Sequence, residues 1–180
     1  MSAAGVDPAA FRRLMGRWPT GVALVTAREA SRNYGLTVNA LLSVSLRPPT
    51  VLVSLSEDAD TTPVVVRTGA FGVSYLGASQ RTLSERFARA IAPEEKFRDV
   101  AFRTGSLGVP LLAEAIATLE CRVTAVVPAG DHRLVLGEVV AQTLGPDGTP
   151  LVFHRGGYAE ASEGGGLRLP PPPPASPRQP

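Results

Sequence analysis

Residues 116–143 read IATLECRVTAVVPAGDHRLVLGEVVAQT. From Ile116 to Val127, Ala117, Leu119, Cys121, Val123, Ala125 and Val127 alternate with Thr118, Glu120, Arg122 and Thr124, the period of a strand with one apolar face. Pro128-Ala129-Gly130-Asp131 is rich in turn formers. His132 to Thr143 then returns as a partner strand. A long hairpin of this kind predicts an antiparallel sheet.

On the C-terminal side, Pro146-Asp147-Gly148 marks a second turn and Leu151–His154 a last strand. On the N-terminal side, Pro93–Phe97 reads as a single helical turn. Ser79–Ala88 reads as a helix with Leu83 and Phe87 on one face. Phe71–Leu76 and Val51–Leu55 read as strands, and between them Thr62-Pro63 starts a short helix that Gly69 ends. Gly35–Leu46 alternates imperfectly up to Pro48-Pro49. Gly21–Thr26 is a short β-type run followed by a polar hairpin loop, Arg28–Asn33. Asp7-Pro8 predicts an N-cap and first turn for a helix over Pro8–Arg17, which ends near Pro19. Several strands joined by short turns, with few and short helices, predict a closed or nearly closed antiparallel sheet and argue against βαβ units.

The 180 residues suffice for one ordinary domain, and 44% hydrophobic with 19% charged residues fits a globular chain with a sizeable core. That domain is expected over residues 1–161. From Ser162 the composition shifts to Gly164–Gly166 and then to five prolines, Pro170–Pro174. This tail is too poor in apolar surface to offset its ordering entropy and is expected to be disordered or polyproline-like. A net charge of +2 with scattered arginines gives no polyanion groove, so no nucleic-acid partner is expected. Lys96 is the only lysine; the arginine excess reads as compositional bias. Cys121 is the only cysteine, which excludes an intrachain disulfide and a multi-cysteine metal site. Met1–Phe11 shows no secretory pattern, and no apolar run approaches the ~20 residues of a membrane span. A cytoplasmic protein without membrane contact is expected.

Motifs of ordinary enzyme chemistry are missing. No GxGxxG follows a strand, no GxxxxGK[ST] or GxSxG occurs, and His132 and His154 have no ligand partners at metal spacing. No metal is expected.

The segment Gly35–Leu55 (GLTVNALLSVSLRPPTVLVSL) resembles the signature of the flavin reductase-like family. Four further stretches match in order: Gly69–Ser74, Leu83–Ala88, Gly130–Val139 and Pro150–Phe153. The resemblance covers roughly Phe11 to Tyr158. It implies an FMN-binding split barrel, a Greek-key antiparallel barrel with a few short flanking helices. It also implies NAD(P)H-dependent reduction of FMN or FAD for a separate flavin-dependent monooxygenase, as in actinomycete antibiotic-pathway reductases, and a homodimer that completes the flavin cleft. The sequence departs from the family at Leu41-Leu42, where a small residue and an aromatic are common, and at Asp60-Thr61, where Asn-Ser is common. An acid at Asp60 would repel a flavin phosphate.

What the resemblance implies for the site is specific. The ribbon Thr37-Val38-Asn39-Ala40, with Leu36, Ser43 and Ser45 in the same segment, meets the carbonyl and imide edge of the isoalloxazine; the alternative is a plain strand with Thr and Asn in solvent. Ser54, Leu55, Asp60, Thr61 and Thr62 lie where a strand end meets a helix start that offers N–H groups to a phosphate, although an ordinary N-cap explains Thr62 unaided. Arg86, beside Phe87, is expected near the flavin phosphate, its fork geometry suiting that contact; the alternative is a solvated helix face. His132, in Gly130-Asp131-His132, is expected at the nicotinamide site, where it is the catalytic candidate; the alternative is a turn histidine. His154, Arg155, Gly156 and Tyr158 would line the same groove. Hydride transfer from NADH or NADPH needs two rings face to face and no protein nucleophile, which accounts for the missing triad. Two other readings are a non-enzymatic flavin-binding or sensor module on the same barrel, and an oxidase of the pyridoxamine-phosphate type.

Overall fold

The hairpin forms in the computed structural model, which describes residues 5–162 and 166–168. β9 (Ala117–Ala129) and β10 (His132–Leu144) pair antiparallel along their length. They sit inside a seven-stranded sheet with β2 (Ala23–Glu29), β3 (Arg32–Val38), β4 (Leu41–Leu46), β5 (Pro49–Ser56) and β6 (Ala70–Tyr75), in the order β3-β2-β6-β9-β10-β5-β4. A smaller sheet joins β1 (Thr20–Gly21), β11 (Leu151–His154), β12 (Gly157–Ser162) and β13 (Gly166–Arg168). β7 (Phe102–Thr104) and β8 (Pro110–Leu112) make a third, two-stranded sheet. The short helices are α1 (Pro8–Met15), α2 (Thr61–Thr68), α3 (Arg81–Phe87), preceded by a 3-10 turn at Ala78–Gln80, and α4 (Pro93–Phe97).

Two apolar clusters hold these layers. The inward residues of the large sheet and one face of α2 make the first, with Val25, Val53, Leu55, Phe71, Val73 and Val135 fully buried. The second lies between the large sheet, α3 and the small sheet. It contains Leu24, Leu76, Phe87 and Leu151, with Phe97 and Phe102 packed around Phe87 at 5.0 and 6.2 Å between ring centroids. Fully burying side chains of this size is worth roughly 1.5–3 kcal/mol each.

Several expectations are refined. Asp7 caps α1, accepting from Ala9 N at 3.3 Å and Ala10 N at 3.0 Å, but the helix stops at Met15 rather than Arg17. The polar stretch Arg28–Asn33 is no loop: β2 and β3 run through it to a two-residue turn at Ala30-Ser31, because strand pairing satisfies its backbone. Gly69 ends α2 in the left-handed region at φ 68°, as its lack of a side chain allows. β7, β8, β12 and β13 are strands beyond those the alternation predicts.

The polar side of β9 faces water only at Arg122 and Thr124. Thr118 and Glu120 are each 5% exposed, because the β7–β8 hairpin covers them. The Glu120 carboxylate accepts from Ser106 Oγ at 3.0 Å and Leu107 N at 2.9 Å, and Arg103 donates to Thr118 Oγ1 at 2.7 Å. Further along, the pairing of β9 with β10 skips Thr124 between Ala125 and Val123. Such a bulge inverts the alternation. Val126 therefore packs on the core, whereas Val127, expected on the apolar face, is 47% exposed.

The large sheet folds back on itself at the corner Asn39-Ala40, where Ser54 N donates to Ala40 O at 3.1 Å. Beyond that corner β3 and β5 are not hydrogen-bonded neighbours, so the barrel stays split there. β12 and β13 span the expected boundary at 161/162, and Pro170–Pro174 lie outside the described residues. No helix among the described residues is long and apolar enough to cross a membrane.

Candidate functional site

The split is a groove of about 480 Å³. Leu36 and Thr37 of β3 form one wall, Ser56 and Asp58–Asp60 after β5 the opposite wall, and Phe87–Ala92 with Lys96 close it from the helical side. The ribbon continues past it. Val38 and Asn39 border a smaller cavity of about 160 Å³ with Ala88, Phe153 and Tyr158, and on the other side an apolar cavity of about 390 Å³ with Trp18, Leu41, Leu42 and Tyr75. One strand end thus separates a polar, charged groove from an apolar cavity.

The ribbon is held by the helix beside it. Thr37 Oγ1 donates to Ser84 O at 2.7 Å, and Ser84 Oγ lies 2.9 Å from the Tyr158 hydroxyl. Ser84 is fully buried on α3. Arg81 stacks over the Tyr158 ring at 5.5 Å, and Phe153 meets that ring edge-on at 5.6 Å. α4 seats directly on β3 because Gly35 has no side chain: a Cβ there would stand 2.7 Å from Phe87 Cε1 and 3.2 Å from Phe97 Cζ. Lys96 Nζ then donates to Gly35 O at 3.1 Å. Burial pulls the Lys96 ammonium below its usual range, while the Asp60 carboxylate pulls the other way.

Of the residues singled out from the sequence, Leu36, Thr37, Val38, Asn39, Asp60, Phe87 and Tyr158 border the groove or its neighbouring cavities. Ala40 forms the corner. Ser54 lies half-buried beside it on β5. Ser43 and Ser45 lie further along β4, where Ser45 Oγ accepts from Arg47 N. Leu55 points into the barrel core, fully buried. Thr61 and Thr62 are buried at the start of α2, and the Thr62 hydroxyl donates to Ser56 O at 2.6 Å. Arg86 donates to Arg98 O at 2.8 Å and is not among the residues lining the groove. His154 is half-buried with Nδ1 unpartnered, and Arg155 and Gly156 turn the β11–β12 hairpin with positive φ.

His132 sits at the tip of the β9–β10 hairpin, paired with Ser56 across β5. Its Nδ1 is 2.7 Å from Asp131 Oδ1, a contact that holds the Asp131 carboxyl below its usual range. The turn Glu57 N to Asp131 O and the ion pair Arg133–Glu57 at 3.1 Å bind this tip to the groove's β5 wall. Ser84, Ser56, Arg89 and Lys96 also belong to the site, beyond the residues the resemblance implies. Lys96 carried a signal, as the lone lysine among arginines; Ser84 carried none. Among the described residues no cluster of His, Cys, Asp and Glu could hold a metal.

An antiparallel barrel opened between two strands, with its polar groove at the opening, defines a split-barrel ligand-binding protein. A model of the flavin reductase like domain matches residues 15–162, and the chain belongs to that family. An NADH-dependent flavin reductase from a Rhodococcus species is 42% identical over 156 residues, 85% of this chain and 86% of that protein. The reductase component of 4-hydroxyphenylacetate 3-monooxygenase from Thermus thermophilus is 40% identical over 149 residues, 83% of this chain and 93% of that protein. Among solved structures, the NADH:FAD oxidoreductase SgcE6 of Streptomyces globisporus, in complex with NAD and FAD fragments, superposes with a TM-score of 0.82 at 35% identity, covering 90% of this chain and 99% of the other.

The donor set fits a flavin. The groove offers an ammonium, a guanidinium and a serine hydroxyl to an anionic end, and the ribbon offers the Asn39 amide beside apolar walls to a planar polar-edged ring.

Proposed function

We propose that this chain is an NAD(P)H:flavin oxidoreductase that reduces free FMN or FAD and passes it to a separate flavin-dependent monooxygenase. The observation that carries the reading is the Thr37–Asn39 ribbon, which borders a charged groove at one end and an apolar cavity at the other. A phosphorylated ring system needs both environments side by side. When bound, the flavin supplies the hydride acceptor and the nicotinamide the donor.

The chain's own work is placement. Thr37, locked onto Ser84 O, keeps the ribbon extended. Asn39 presents its amide to the ring edge. Tyr158 and Phe153 wall the small cavity and exclude water near the ribbon. His132, oriented by Asp131, stands at the outer rim next to Ser56, where a nicotinamide carboxamide finds a partner. No residue needs to act as nucleophile.

We also infer a homodimer. Leu42 pairs with Leu52, Leu52 with Leu136 and Leu136 with Ala125, so an apolar row crosses β4, β5, β10 and β9 on the outer face of the barrel. Leu42, Val44 and Leu46 are exposed along β4, as are Leu14 on α1 and Trp18 just after it. Contiguous apolar surface of this kind marks an interface, and a second copy seated on it would wall the apolar cavity through Leu42. Light scattering is expected to give twice the chain mass. The cell compartment is read as the cytoplasm, where both nicotinamides are supplied, and the oxygenase served as one of secondary metabolism.

The test is steady-state oxidation of NADH and NADPH with FMN, FAD and riboflavin. Flavin-dependent turnover with at least one pair is expected; none with any pair rejects the reading.

A further inference from the structure

The groove's charges are mixed. Lys96 and Arg89 bring two cations to its wall, Asp58 and Asp60 two carboxylates. Lys96 is fixed there: α4 sits on Gly35, and the bond to Gly35 O uses one of three ammonium N–H donors. Asp60 stands at the N-cap position of α2 but its side chain makes no capping bond, and it is exposed at the groove. Its carboxylate is therefore not committed to the helix and faces the ammonium across the opening. Arg86 is not among the residues lining this groove, and one of its five N–H donors goes to Arg98 O.

We propose that Lys96 is the phosphate-binding cation of this groove and that Asp60 sets the strength of its grip, so that a phosphorylated flavin is attracted but not retained. The inference rests on the flavin reading above and names what regulates that site. A flavin phosphate of charge about −2 that reaches Lys96 also approaches Asp60. Attraction to the first is offset by repulsion from the second, and both act at short range in a partly desolvated groove. A reductase that must hand its product to another protein gains from such an offset, because reduced flavin has to leave within each turnover. Arg89, exposed at the rim, adds attraction with less reach into the groove.

FMN and riboflavin share ring and ribityl chain and differ in the phosphate alone. Titrating each into the full-length chain, read by flavin fluorescence, isolates the phosphate contribution. D60N is expected to tighten FMN about three- to tenfold, with riboflavin unchanged. K96Q is expected to weaken FMN about tenfold and K96R to restore most of that loss. Added salt is expected to shrink every difference. D60N that leaves FMN unchanged, or moves FMN and riboflavin alike, overturns the proposal, as does equal weakening of both flavins by a folded K96Q. D60N alters an exposed position and decides the matter even where K96Q fails to fold. Failure of the wild-type chain to bind either flavin overturns the flavin reading itself; binding of both, indifferent to these substitutions, overturns this inference alone.

Discussion

The Ser84 hydroxyl lies 2.9 Å from the Tyr158 hydroxyl, and the carbonyl of the same serine accepts the Thr37 hydroxyl at 2.7 Å. One buried residue on α3 thus ties the β3 ribbon to the β11–β12 hairpin. Ser84→Ala is expected to cost about 1–2 kcal/mol of stability, because the Tyr158 hydroxyl loses its partner in a half-buried setting. Tyr158→Phe should cost about the same, and the double variant less than the sum. Chemical denaturation of the three variants measures the coupling, and strictly additive costs would refute the link.

Asn39 is exposed at the corner, bordering both the small and the apolar cavity. Asn39→Ala is expected to weaken FMN and riboflavin equally, by about tenfold, the scale of one lost hydrogen bond to a polar ring edge. Stability should stay within about 0.5 kcal/mol, as for other surface substitutions. Fluorescence titration and thermal unfolding on the same samples separate the two effects.

Arg86 donates to Arg98 O and so secures the segment between α4 and β7. Arg86→Ala is expected to lower stability by about 1 kcal/mol. The ratio of FMN to riboflavin affinity should be unaltered. A selective loss of FMN would place the guanidinium on the phosphate after all.

Gly35→Ala puts a Cβ 2.7 Å from Phe87 Cε1. α3 and α4 must shift off β3, at a cost of about 1–3 kcal/mol for overpacking. Because Lys96 rides on α4, flavin affinity should fall with stability. Unchanged binding in a destabilised protein would show that α4 does not shape the groove.

Burial pushes the Cys121 thiol from its ordinary 9.0 up to about 12. Between these values the unfolded chain releases a proton that the folded chain keeps, so the contribution to stability is intact below about pH 9 and falls as pH rises toward 12. Cys121→Ala should flatten that alkaline decline in a denaturation series. In the native wild type at pH 8 a thiol reagent should react only as the chain unfolds.

Much of the barrel was legible because strand period and turn chemistry are local. The alternation over residues 117–123, the turn at Gly130-Asp131 and the helix start read at Thr62-Pro63, one residue after the observed Thr61, depend on neighbours in the chain. The ribbon Thr37–Asn39 was legible through a motif. Where reading failed, the cause was a contact distant in sequence. Thr118 and Glu120 look like a solvent face until β7–β8 covers them. Val127 looks like core until a bulge at Thr124 turns it outward.

By itself, the amino-acid sequence determined an antiparallel barrel with a polar ribbon at one strand end, since periodicity, proline and glycine act over a few residues. The tertiary structure alone decided which charges meet across the split. Lys96 and Asp60 are 36 positions apart, and nothing local to either one places an ammonium opposite a carboxylate; the packing of α4 on Gly35 does.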